Sequence, residues 1–145
     1  MKCLLQRVQE AQVRIDDQLH GSISHGLLAF ICAEHGDTKE TVERAVDKIL
    51  KLRIFSDEDG KMNLSLPQSN GGLLVVSQFT LAADTRRGNR PSFTNAATPA
   101  VGEALYEYFL DYARTQHHDV ASGSFGANMQ VHLINDGPVT IPMEF

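Results

Sequence analysis

No apolar run in this chain approaches the ~20 residues that a membrane-spanning helix requires, so no helical membrane span is expected. Cysteine is scarce: there are two, Cys3 and Cys32. A lone pair supplies neither a zinc pattern nor a disulfide framework. Both lie in apolar, strand-like stretches, which favours buried, reduced thiols. The histidines His20, His25, His35, His117, His118 and His132 form no H-x-x-x-H or H-E-x-x-H pattern. Nothing visible calls for a metal or another cofactor. Basic residues are the minority, 13 against 18 acidic, for a net charge of -5. That balance argues against wrapping nucleic acid over a broad basic face, but leaves room for a small basic patch. Met1-Lys2-Cys3-Leu4-Leu5 is soon interrupted by Gln6 and Arg7, which does not read as a signal peptide, and the expected location is cytoplasmic.

What is present reads as one domain spanning residues 1–145. A chain of this length buries roughly 70% of its unfolded surface, enough for a proper core. Residues 2–8 and 11–16 read as two strands, followed by turn chemistry at Asp16-Asp17-Gln18. Leu27 to Ala33 has buried-strand length. A first helix is expected with Asp37 as its cap and Glu40 three residues on. Its apolar stripe is Val42, Ala45, Val46, Ile49 and Leu50. A second helix should follow Thr98-Pro99, cap then first-turn proline. Its expected stripe is Val101, Ala104, Leu105, Tyr108, Phe109 and Tyr112. Asp57 to Gly60 reads as a turn, and 62–66, 73–79, 131–134 and 139–143 as strands. About seven strands and two main helices without regular βαβ alternation indicate α+β, largely antiparallel sheets forming a barrel-like core.

Two segments stand out for chemistry. Ser77-Gln78-Phe79-Thr80-Leu81 ends the apolar run Leu73-Leu74-Val75-Val76 with small polar groups. A Ser or Thr nucleophile needs a base within hydrogen-bond reach, and no local sequence supplies one, although a triad could assemble in three dimensions. Asn135-Asp136-Gly137-Pro138-Val139-Thr140 places a Gly-Pro bond between β-branched pieces. X-Pro bonds adopt cis at modest cost, and glycine lets backbone approach a ligand closely. The plainer reading is a structural turn. Arg86, Arg87 and Arg90 form a basic loop in an acidic chain, either a solvated surface loop or a phosphate contact. Lys51 and Arg53 could extend it. Phe125 and Met129 offer core packing or a stacking surface for a base.

These segments, with Gln6-Arg7-Val8, Arg53 to Asp57, Gly60 to Asn63, Arg90 to Phe93 and Phe125 to Met129, resemble the D-aminoacyl-tRNA deacylase family in order and spacing over essentially the whole chain. The resemblance implies a homodimeric hydrolase that releases a free D-amino acid and tRNA, with glycyl-tRNA as a further substrate. It implies catalysis at Ser77, Gln78, Phe79 and Thr80, whose backbone N–H groups, that of Phe79 foremost, hold the ester carbonyl. It implies a chirality filter at Gly137 and Pro138 that enters the partner's site and is braced by Arg7. It places the tRNA 3′ end at Phe125 and Met129, and assigns the rate to assistance from the ribose 2′-hydroxyl. Arg86, Arg87 and Arg90, which follow directly after Ser77–Leu81, are expected to join in binding that end. Ala104 is marked separately, as a small residue that could leave room for a ligand. The rivals are a nucleic-acid-binding module without hydrolase activity and a conventional Ser/Thr esterase.

Overall fold

The computed structural model describes all residues, 1–145. Eight strands and two α-helices occur in the order β1 (Lys2–Ile15), β2 (Gln18–Ile23), β3 (Gly26–Cys32), α1 (Lys39–Lys51), β4 (Phe55–Ser56), β5 (Met62–Leu64), β6 (Gly72–Ser77), α2 (Pro99–Gln116), β7 (Val120–Ser122) and β8 (Gln130–Glu144). The main sheet runs β2-β1-β3-β6-β7, with β8 on the other side of β1. β1 is antiparallel to β2, β3 and β8, whereas β3–β6 and β6–β7 are parallel. The ends of this sheet curl toward each other. A Cβ on Gly21 of β2 would lie 2.5 Å from the Ser122 carbonyl of β7, so those backbones nearly touch. The result is a nearly closed, barrel-like sheet with both helices on one face. β4 and β5 pair in a separate small hairpin.

The two strands read over 2–8 and 11–16 are one strand of 14 residues. The division in the sequence has a physical origin. Cys3 and Leu5 bury toward the helices, but Val8, Ala11 and Val13 bury toward the barrel interior. The buried face switches at Arg7 and Val8, where the ladder to β8 also slips. The Asp16-Asp17 turn is present, with both residues at positive φ (49° and 62°), as the tight turn of a two-residue hairpin requires. The pieces at 131–134 and 139–143 likewise belong to one strand, β8. Pro142 pairs opposite Leu4 on this edge strand, where a missing N–H is tolerated.

The larger core lies between sheet and helices. It joins Leu5, Leu27, Ala29, Ile31, Leu73 and Val75 to the α1 residues Val42, Ala45, Val46, Ile49 and Leu50 and to Leu105, Phe109, Leu110 and Ala113 of α2. Leu28, Leu74 and Val76 point the other way, into the second cluster. β6 is therefore covered on both faces, which is why it reads as an unbroken apolar run. The α1 stripe matches expectation, but its cap is Thr38, not Asp37. The Asp37 carboxylate is engaged elsewhere, accepting from the Met1 ammonium (2.7 Å) and from the Glu34 N–H (2.7 Å).

The α2 stripe is rotated from the one expected. Leu105 and Phe109 are buried, but Tyr106, Leu110 and Ala113 join them, while Val101 and Ala104 face solvent. Tyr108 and Tyr112 lie on the flank, where their hydroxyls donate to Glu43 (2.5 Å) and Asp47 (3.2 Å) of α1. The helix packs on the sheet and on α1 together, so its buried face centres between the two, and the tyrosines satisfy their polar ends at the seam.

Gly26 and Gly72 are paired across β3 and β6, and a Cβ on Gly26 would lie 2.0 Å from the Gly72 carbonyl oxygen. Gly26→Ala must push two strands apart and is expected to lower stability by about 3 kcal/mol or prevent folding. Gly36→Ala, where nothing lies within 4 Å of the added carbon but φ is 89°, should cost only about 1–2 kcal/mol. Urea unfolding of both variants checks the difference.

Candidate active site

Where β6 ends, the chain turns through Gln78 (φ -145°, ψ 77°) into a single 3-10 turn, Phe79–Ala82. The Gln78 N–H is taken by the Ile31 carbonyl of β3 (2.8 Å). The N–H groups of Phe79 and Thr80 open the turn and so find no partner inside it. The Gln78 amide donates to Thr80 Oγ1 (2.5 Å). Neither the Ser77 nor the Thr80 hydroxyl is bonded to a histidine or carboxylate; His25 and His117 instead hold the Ser69 and Gly71 carbonyls (2.8 Å each). No triad assembles around these hydroxyls.

Ser77, Gln78 and Phe79 form one wall of a cavity of about 620 Å³. Phe125, Met129 and Tyr106 line its depth, and Ala96, Ala97 and Phe93 its other side. Not one Asp, Glu, His, Lys or Arg side chain faces this space. The titratable side chains that do are Cys32 and Tyr106. Burial pushes the Cys32 thiol up from its ordinary value, with Glu34 adding to the effect. Burial likewise pushes the Tyr106 phenol up, and its O–H is shared between the carbonyls of Val75 (3.1 Å) and Gly123 (3.0 Å). Both groups stay protonated and neutral near pH 7.

Phe125 tilts against Tyr106 (centroids 6.0 Å apart). Met129 Sδ would lie 2.5 Å from a Cβ on Gly123, so its place depends on that glycine. Ala104 does not contribute: it lies on the solvent face of α2, for the rotational reason given above. The small residue that faces the cavity is Gly102, where a Cβ would sit 3.4 Å from the Phe125 ring. Gly102 and Phe93 were missed in sequence; the corrected helical phase would have found the first.

The arginine loop leaves the same turn. Its base is closed by two backbone bonds between Asp84 and Ser92 (2.7 and 3.0 Å). Arg86 folds back onto Asp84, donating from Nε (2.9 Å) and Nη2 (2.6 Å). Those bonds hold the Asp84 carboxyl well below the usual carboxylate range. Arg86 is thereby engaged, while Arg87 and Arg90 are exposed and make no ion pair. Lys51 pairs with Asp47 (3.3 Å) and Arg53 binds Asn63, so neither extends the loop's patch.

Gly137 and Pro138 lie outside this chain's own cavity. β1 pairs Gln6 with Thr140 and Val8 with Asn135, so residues 136–139 bulge from the ladder opposite Arg7. The Gly137-Pro138 peptide is cis, and both residues are exposed. Asn135 staples the bulge, accepting from the Val139 N–H (2.9 Å) and donating to its carbonyl (3.1 Å). Arg7, buried beneath, donates Nε to the Asp136 carbonyl (2.9 Å) and Nη1 to the Ile54 carbonyl (2.7 Å).

Residues 4–144 match the family described as D-Tyr-tRNA(Tyr) deacylase. The chain belongs to that deacylase family and is, with it, an enzyme. A D-aminoacyl-tRNA deacylase of Delftia acidovorans is 60% identical, covering 99% of this chain and 95% of its own length. One of Variovorax paradoxus is 60% identical, with 99% of both chains covered. Among solved structures, a c-Myc DNA unwinding element binding protein superposes with TM-score 0.95 at 38% identity, covering 100% of this chain and 99% of its own. A probable eukaryotic D-amino acid tRNA deacylase gives TM-score 0.84 at 19% identity, covering 98% and 97%, a likeness of fold.

The raised thiol of Cys32 in this deacylase sets a pH dependence, because only the thiolate attacks an alkylating agent. Native protein should react with iodoacetamide at pH 8 far more slowly at Cys32 than the urea-unfolded chain does, and the native rate should climb as pH rises beyond 9. Mass spectrometry of quenched time points gives both rates.

Proposed function

We propose that this deacylase hydrolyses the ester bond of D-aminoacyl-tRNA to a free D-amino acid and free tRNA, acting in the cytoplasm. The observation that carries the reading is the cavity lining. It has no charged side chain, its two titratable side chains are neutral, the ammonium of Met1 beside it is held by Asp37, and Phe79 forms part of its wall. Such a wall offers no general base. It suits a substrate that is already activated and brings its own polar group: an aminoacyl ester beside a ribose 2′-hydroxyl.

In this reading the water oxygen adds to the ester carbonyl carbon, and the displaced electron pair moves onto the carbonyl oxygen facing the Phe79 N–H. Donors aimed at such an oxyanion supply roughly 3–4 kcal/mol each. Collapse expels the ribose 3′-oxygen, which takes up a proton relayed through the 2′-hydroxyl. The neighbouring hydroxyl costs no encounter entropy, because it is already in place. Phe125 and Met129 receive the terminal adenosine. Arg87 and Arg90 meet the adjoining phosphates, with Arg86 braced beside them.

Chirality is read in trans within a homodimer. Support comes from the place of Gly137-Pro138, exposed, held from beneath by Arg7 and absent from its own cavity. In a two-fold dimer one contact of this kind makes two equivalent sites. The backbone there crowds the space where an L side chain must go, a filter working by rejection. Glycyl-tRNA, with no side chain to reject, is then also a substrate. A second reading, duplex DNA binding, draws on the name of the solved structural relative. The charge of -5 and a single basic loop weigh against extensive phosphate contact, and a shallow salt dependence of binding would confirm that.

Purified protein should cleave the D form of one aminoacyl-tRNA and leave the L form, as followed by acid-precipitable label. Equal rates on both would remove the filter. Gly137→Ala, whose added carbon would lie 2.5 Å from the Val139 nitrogen, should weaken this discrimination or slow substrate entry.

Thr80→Ala and Ser77→Ala should keep substantial activity, because neither hydroxyl has an activator. A substrate with 2′-deoxyadenosine at its 3′ end should lose nearly all turnover. An inactive but folded Thr80→Ala together with a reactive 2′-deoxy substrate would favour covalent catalysis.

A further inference from the structure

The chemistry above uses the peptide of Phe79 and leaves its ring unexplained. That ring is 59% exposed, in a chain that buries most of its large apolar side chains. Its aromatic contact is Phe93, edge to face, with centroids 5.1 Å apart and planes at 74°. Edge-to-face pairs have a preferred geometry, since the positive rim of one ring meets the negative face of the other. A contact of this type orients what it touches.

Phe93 is fixed from both directions. On its N-terminal side Ser92 exchanges both backbone bonds with Asp84, closing the arginine loop. On its C-terminal side the Phe93 carbonyl accepts from the Ala96 N–H (3.0 Å), and Ala97 donates to Ala33 at the end of β3 (2.9 Å). The turn it touches is less secure. Phe79–Ala82 is a single 3-10 turn. From beneath, the Cys32 thiol donates to the Phe79 carbonyl (3.6 Å) and the Gln78 N–H is held by Ile31. Those bonds hold the peptides on either side. The Phe79 N–H shares its own plane with the Gln78 carbonyl, which accepts from the Leu81 N–H (3.1 Å) inside the same turn. The direction of that N–H therefore follows the seat of the whole turn, to which the Phe79 ring contributes.

We propose that Phe93 is a positioning residue of the ester-hydrolysing site: its edge-to-face contact seats the turn that aims the Phe79 N–H and ties that turn to the arginine loop. This rests on the reading of the Phe79 N–H as the carbonyl-binding donor. The sequence pattern accords with a coupled unit, because Arg87 and Arg90 lie on a closed loop that Phe93 directly follows. RNA held by the guanidiniums is thereby referred to the same frame as the group that meets its ester. A donor must point at its target within about 10–20°, so freeing the ring affects the chemical step before it affects binding.

The test uses the full chain as wild type, Phe93→Leu and Phe93→Tyr, each on the same D-aminoacyl-tRNA. Phe93→Leu keeps an apolar side chain and removes the aromatic edge; Phe93→Tyr keeps the edge. Phe93→Leu should lower kcat about tenfold, the scale of a misplaced reacting geometry, with KM within about twofold of wild type. Phe93→Tyr should restore kcat. The 15N–1H resonance of Phe79 should move in the Leu variant and return in the Tyr variant. Unchanged kcat in Phe93→Leu overturns the proposal. So does a rise in KM alone, which would make Phe93 a mere wall of the cavity, or an equal loss in both variants. If Phe93→Leu does not fold, Phe93→Met replaces it with the same criteria. A wild-type chain inactive on every D-aminoacyl-tRNA overturns the hydrolase reading and this inference together, whereas an active wild type with an unaffected Phe93→Leu overturns this inference alone.

Discussion

The strand β1 hydrogen-bonds along both edges, to β3 and β2 on one side and to β8 on the other. Every other arrangement in the molecule depends on this double ladder. It aligns β3, which carries β6 in parallel, and the end of β6 leads into the Phe79–Ala82 turn of the candidate site. It also aligns β8, whose bulge presents Gly137 and Pro138. Arg7 occupies the point where the ladder to β8 is interrupted. Its guanidinium satisfies the Asp136 carbonyl freed by the bulge and ties it to Ile54 beyond the sheet. A buried arginine is tolerable only when its donors are matched in this way.

The candidate site joins an apolar side-chain lining to a turn whose opening N–H groups are unpaired within it. A cavity lined by no charged side chain favours an uncharged reacting centre and keeps its own titratable side chains neutral. Cys32 and Tyr106 show this directly, since burial holds both protons in place. The exposed arginines stand apart from that lining, on the loop that follows the Phe79–Ala82 turn. That separation fits a substrate with a neutral ester at one end and phosphates at the other. Backbone N–H groups do not titrate at any working pH, so the donors of the proposed site stay the same throughout.

Much of the fold is legible in the sequence. The 3.6-residue spacing of α1, the Thr98-Pro99 start of α2, the Asp16-Asp17 turn and the continuous run of β6 each reflect a local rule. What escaped were features in which two distant elements decide. Asp37 looked like a cap, but the Met1 ammonium claimed it and the cap moved to Thr38. The stripe of α2 was one position out, because α1 accepts the tyrosine hydroxyls and frees Tyr108 and Tyr112 from the core. Ala104 was therefore placed at the cavity when Gly102 belongs there. β7, three residues long, has no pattern of its own and exists because β6 supplies its partner.

The sequence alone determined the class of the fold and the absence of a local base beside Ser77 and Thr80, and it singled out the two candidate segments. These follow from residue type and spacing within a few positions, where sterics and periodicity act without help from the rest of the chain. Tertiary structure alone decided that no charged side chain lines the cavity, that Arg86 turns to Asp84 while Arg87 and Arg90 stay free, and that Phe93 meets Phe79. Each of those depends on where separate segments end up in space. Hydrogen bonds and edge-to-face contacts act over a few ångströms, and no spacing along the chain encodes a distance that only the completed sheet brings about.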